Sequence, residues 1–105
     1  MKQYHKLVRD KIPEIIEKQG NQCTIEILDE AAYLVGVDAK LDEELAEYHA
    51  EPCLEELADL LEVLYAAARA RGYTVEQLEA ARQEKREQRG GFDRRILLKT
   101  VIEKK

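Results

Sequence analysis

The segment from Leu54 to Ala70, LEELADLLEVLYAAARA, is the most apolar of the chain and restricts its fold most. Leu57, Leu61, Leu64 and Ala68 recur at helical spacing. Leu54, Leu60, Tyr65 and Ala67 widen that stripe until it covers much of the circumference. A helix that apolar has to be packed from more than one side. It is therefore read as a central helix, ended by Gly72, with Arg69 and Arg71 at the negative end of its dipole. Charged residues make up 37% of the 105, against five Gly and two Pro, a balance that suits helices over sheets. A single domain, residues 1–105, is expected.

The remaining elements follow from periodicity and stop signals. Leu7, Val8, Ile12, Ile15 and Ile16 share a helical spacing, Pro13 suits a first turn, Asp10 is a plausible N-cap and Gly20-Asn21 a stop. The reading is a short helix from about Lys11 to Gln19 behind an extended YHKLVR arm. Asp29 caps a second helix that runs to about Ala50, with a break at Val35-Gly36-Val37 left open. Pro52 marks a turn. Thr74 with Gln77 reads as a capping box that opens a last helix, about Val75 to Gln88, stopped by Gly90-Gly91. Four helices with short connections predict a compact, mainly all-α bundle.

Two segments depart from the helical pattern. Cys23–Leu28 is rich in β-branched residues and alternates briefly, and Arg95–Ile102 is the only counterpart. A two-stranded element pairing 23–28 with 95–102 is expected to close the domain.

The net charge of −5 gives no bulk attraction to a nucleic-acid polymer. No apolar run approaches membrane-spanning length, and the opening MKQYHKLVRDKIPEII lacks the apolar centre of a secretion signal. Cys23 and Cys53 lack metal-knuckle spacing and read as reduced thiols of a cytoplasmic protein.

The acidic block from Lys40 to Glu62 carries the chemistry. Glu44/Glu47 and Glu56/Asp59 are i, i+3 pairs, and residues so spaced share a helix face. At about 100° per residue, Glu44 and Glu47 border the Leu41/Leu45/Tyr48 stripe, with Lys40 beside them, whereas Glu43 points away. Glu56 and Asp59 share one flank of the next helix, across from Glu55 and Glu62. Asp59 interrupts an apolar run, and a carboxylate there must pair, bind a metal or take up a proton. Hard oxygen donors with no His or Cys at ligand spacing suit Mg²⁺ or Mn²⁺. Such pairs are also common on solvated helix faces, and spacing alone leaves both readings open. The Glu-x-x-His of di-iron bundles is absent, since Ala46 stands three before His49. His5 and His49 read as surface or packing residues.

The motifs Glu43-Glu44-Leu45-Ala46-Glu47 and Glu56-Leu57-Ala58-Asp59 resemble the hallmark of the all-α nucleoside triphosphate pyrophosphatases, the MazG-like and phosphoribosyl-ATP pyrophosphatase-like group. The resemblance extends to YHKLVRDKIPEII, EELADLLEVLYA and KREQRGGFDRRILL, nearly the whole chain in order, with a short spacing between the acidic motifs that suits a minimal member. It implies hydrolysis of a nucleoside triphosphate to the monophosphate and pyrophosphate with Mg²⁺, Mn²⁺ being a possible substitute. Glu44, Glu47, Glu56 and Asp59 would be the metal ligands, and Glu47 would also orient or deprotonate water. Lys6, Arg9, Lys11, Lys40, Lys85 and Arg89 are the candidate phosphate contacts; the same cations also suit salt bridges to the acidic helices. Phe92 could stack on a base, but as the only Phe it is read as core. The resemblance and the wide apolar face of the central helix both favour a homodimer or higher homo-oligomer. The alternatives are a biosynthetic phosphoribosyl-ATP activity and a non-enzymatic acidic helical module.

Overall fold

The computed structural model describes Lys2 and residues 4–104. Among these residues the chain is an all-α fold of four helices: α1 (Ile12–Lys18), α2 (Glu30–Ala50), α3 (Leu54–Ala70) and α4 (Val75–Arg89). Each lies within a residue or two of its expected bounds.

The ends of these helices show why they form where they do. Asp29 caps α2 by accepting a 2.9 Å hydrogen bond from the Ala32 amide. α2 then continues unbroken through Gly36 to Ala50, so the cost of one mid-helix glycine is outweighed by packing. Thr74 and Gln77 form the reciprocal capping box at α4, at 3.0 and 2.8 Å. Gly20, Gly72 and Gly90 terminate α1, α3 and α4 with φ of +86°, +89° and +84°, conformations that a Cβ would strain. The cap of α1 differs from expectation. Lys11, in a helical conformation, occupies the N-cap and makes no side-chain cap; Asp10 and Lys11 are the central residues of a turn closed by the Ile12 amide on Arg9 O.

α2 and α3 pack as an antiparallel hairpin about Glu51-Pro52-Cys53. The acids near the C-terminus of α2 meet those near the N-terminus of α3, while Asp38 reaches Arg71 at the opposite end. α4 packs on α3, and α1 packs on none of the other helices. Val37 is the only fully buried apolar side chain among the described residues. The radius of gyration is 18.7 Å and the extents are 66 × 31 × 24 Å. A folded domain of this length has a radius nearer 13 Å.

The expected strand pair does not form: no strand occurs among the described residues. Residues 23–28 are a connector without regular secondary structure in which Ile25 and Ile27 are exposed, and the apolar side chains of 96–102 are exposed too. β-branched composition favours extended backbone, but a strand also needs a ladder partner. Phe92, expected in the core, is likewise exposed, because it follows Gly90-Gly91 past the end of α4 where nothing covers it.

Candidate metal centre

Five carboxylates converge where α2 folds back onto α3. One oxygen from each of Glu43, Glu44 and Glu47 lies within 4.8 Å of the other two, and the same holds for Glu44, Glu56 and Asp59. Glu44 belongs to both groups and is the pivot of the cluster. The helical period supplies each pair, and the short Glu51–Cys53 turn brings the two pairs together.

Glu44 is also the best buried, only 6% exposed. Lys40, one turn earlier, approaches its Oε1 at 3.2 Å. Its Oε2 is buried with no hydrogen-bond partner, as is Glu56 Oε2. Two unpartnered carboxylate oxygens beside further acids are costly, since each has lost water without gaining a donor.

Cations ring the cluster. Lys40 also reaches Glu43 Oε2 at 3.3 Å. From the arm, Lys6 meets Glu43 Oε1 at 3.2 Å and Arg9 meets Asp59 Oδ1 at 2.6 Å. Electrostatics follow from this layout. The Glu44 charge, then partial loss of water, pushes the Glu47 carboxyl above its usual range. Glu56 is also raised, first by desolvation and then by Asp59 and Glu44. Desolvation would raise Glu43 as well, but the hydrogen bond from Lys6 and the charge of Lys40 outweigh it and hold that group low. Lys40 is pulled down by burial, yet Glu44 and Glu43 leave its ammonium above the usual lysine value.

The structure thus gathers Glu44, Glu47, Glu56 and Asp59, and brings Lys6, Arg9 and Lys40 to them. It does not do so for Lys11, Lys85 and Arg89. Among the described residues none of these three makes an ion pair or side-chain hydrogen bond, and α4 meets only α3. On α4 it is Arg82 and Arg86 that pair, with Glu79 and Asp93. Glu43 corrects the helical projection. It turns into the cluster because Lys40, one turn behind it, and Lys6, from the arm, attract it there. Lys40 at i−3 was the sequence signal that could have shown this. His5 and His49 belong to neither carboxylate group.

No protein-family model and no solved structure matches this chain. A stretch of 44 residues is 50% identical to an uncharacterized protein of Mycolicibacterium smegmatis. That match takes in 42% of this chain and 45% of the other protein, so it spans less than half of either. Among the described residues, no helix is long and apolar enough to cross a membrane.

Proposed function

We propose that the chain is a Mg²⁺-dependent nucleoside triphosphate pyrophosphohydrolase, with Glu44, Glu47, Glu56 and Asp59 holding the cation. The observation that carries this reading is the buried, unpartnered Oε2 of Glu44, with the equally unpartnered Oε2 of Glu56 in the same acidic cluster. The donor set fits a hard divalent ion: all oxygen, clustered, and lacking enough nearby cations to neutralise it. Mn²⁺ would fit the same donors. The resemblance of the two acidic motifs to the MazG-like and phosphoribosyl-ATP pyrophosphatase-like hydrolases supplies the reaction.

In that reaction water and a nucleoside triphosphate give the monophosphate and pyrophosphate. A new P–O bond forms to the water oxygen, the α–β anhydride bond breaks, and the water proton passes to a base. Glu47 suits the role of base, being exposed at the edge of the cluster. A bound divalent cation supplies charge neutralisation at the phosphate oxygens and polarises water. Lys6 and Arg9 sit on an arm that α1 does not anchor to the other helices, so they can exchange Glu43 and Asp59 for phosphate oxygens. Lys40, held between Glu43 and Glu44, positions those acids more than it meets substrate. The half-buried free thiols of Cys23 and Cys53 and a nucleotide substrate suit the cytoplasm, and the exposed apolar surface suits a homo-oligomer.

That exposed surface also favours a second reading, a helical interaction module whose acids only solvate and pair. Pyrophosphate release separates the two. Purified protein is incubated with standard and modified nucleoside triphosphates and phosphoribosyl-ATP, with and without Mg²⁺. Release that requires Mg²⁺ and is lost in folded Glu44→Gln and Asp59→Asn variants supports the hydrolase. Inertness towards the whole panel favours the module.

A further inference from the structure

The chain exposes 9982 Å² of solvent-accessible surface at a mass of 12.1 kDa. A folded monomer of that mass exposes about 6,000 Å². The excess, about 4,000 Å², exceeds what one partner contributes to a standard interface, about 800 Å². Among the exposed apolar side chains, two sets flank α4. The tail beyond α4 presents Phe92, Ile96, Leu97, Leu98, Val101 and Ile102 to solvent, the last 95% exposed. A groove of about 400 Å³ between α3 and α4 is lined by Leu61, Leu64, Tyr65, Ala68, Tyr73 and Leu78.

The groove and the tail lie at different ends of α4. Tyr73 and Leu78 stand where α4 begins, and the tail leaves where it ends, about 22 Å away at 1.5 Å per residue. The contact between Arg86 and Asp93, at 3.5 Å, ties the root of the tail to that far end. The tail residues are exposed, and so are Leu61, Leu64 and Tyr73 of the groove, so each chain carries an apolar segment without a bed and an apolar bed without a segment. Two copies related by a two-fold axis satisfy both at once, each tail filling the other's groove. Arg71, Glu79 and Arg82 rim the groove, Arg71 paired with Asp38 and Arg82 with Glu79, so its apolar floor and not charge would hold the tail.

We propose that residues 92–104 of one copy dock in the α3/α4 groove of a second copy, in a reciprocal exchange. This gives the homo-oligomer of the proposed function a definite interface, and it does not depend on the hydrolase reading. The test needs no nucleotide. Sedimentation equilibrium of the full chain at micromolar concentration should give twice the chain mass or a multiple of it. In an equimolar mixture of ¹⁵N-labelled and unlabelled Leu98→p-benzoylphenylalanine protein, photolysis should join the tail of one copy to residues of α3 or α4 of the other. The mixed-isotope peptide pairs identify the link as intermolecular. Monomeric full-length protein overturns the proposal, as do links confined to one chain or links between copies outside α3 and α4. Leu98→Asp with Ile102→Asp should lower the mass to one chain. Because those changes lie in an exposed tail, a folded variant that keeps the parent's mass also overturns it. Loss of pyrophosphatase activity would move none of these readouts.

Discussion

The guanidinium of Arg9 lies 2.6 Å from Asp59 Oδ1, joining the N-terminal arm to α3 across 50 residues of sequence. With Lys6 on Glu43, it is one of the two side-chain hydrogen bonds among the described residues by which the arm meets the acidic cluster. Both partners are substantially exposed, at 55% and 40%. Such pairs are screened by solvent and contribute under about 1 kcal/mol. Arg9→Gln should therefore leave the melting temperature of the metal-free protein almost unchanged. Because Arg9 competes with a cation for Asp59, the same variant should bind Mg²⁺ a few-fold more tightly by calorimetry. If Arg9 also contacts substrate phosphate, its KM for nucleotide should rise.

Glu44→Gln retains an oxygen for Lys40 but removes a charge from the centre of the cluster. In EDTA the variant should be as stable as the parent or more so, since repulsion with Glu47 and Glu56 is relieved. Mg²⁺ at one hundred times its dissociation constant should stabilise the parent by about 2.7 kcal/mol and the variant far less. A metal-free loss of several kcal/mol in chemical denaturation would show Glu44 to be a structural partner of Lys40.

Stability against pH carries two opposite signs. Glu47 and Glu56 lie above the usual 4.5, so the folded state holds their protons more tightly than the unfolded chain does. Their contribution is full below 4.5 and is lost as pH rises through their folded values. Glu43 lies below 4.5, so its contribution is present above that value and is lost as pH falls through its lowered one. Lys40, raised above 10.5, keeps its contribution throughout the neutral range. Without divalent ions, the melting temperature should rise on mild acidification from neutral and turn down below about 4.5. Saturating Mg²⁺ at neutral pH should flatten the rise. A steady decline from neutral downward in EDTA would mean that the acids do not repel one another as placed.

Gly36 tests the packing of α2 apart from the site. A Cβ built there meets only Leu28 Cδ1, at 3.6 Å, an ordinary contact. The helix is already continuous across it. Gly36→Ala should therefore stabilise the protein by about 1 kcal/mol, read as a higher denaturant midpoint with an unchanged slope. A lower midpoint would mean that the Leu28 connector cannot give way.

The sequence by itself determined the local elements. Apolar period, the Asp29 cap, the Thr74/Gln77 box and the terminal glycines act within a few residues, and they placed the four helices. The same period paired Glu44 with Glu47 and Glu56 with Asp59, because i and i+3 are neighbours on any helix. What required tertiary structure involved residues distant in sequence. The chosen fold-back put Glu44 within reach of both acidic groups and left its Oε2 without a donor. The arm's return brought Lys6 and Arg9 to Glu43 and Asp59, and the direction of α4 gave Lys85 and Arg89 no such contact. Residues 23–28 and 95–102 carry extended-chain composition, but pairing depends on where the helices between them lead. A side chain's face is fixed by local backbone geometry; its partner is fixed only when distant parts of the chain have been positioned.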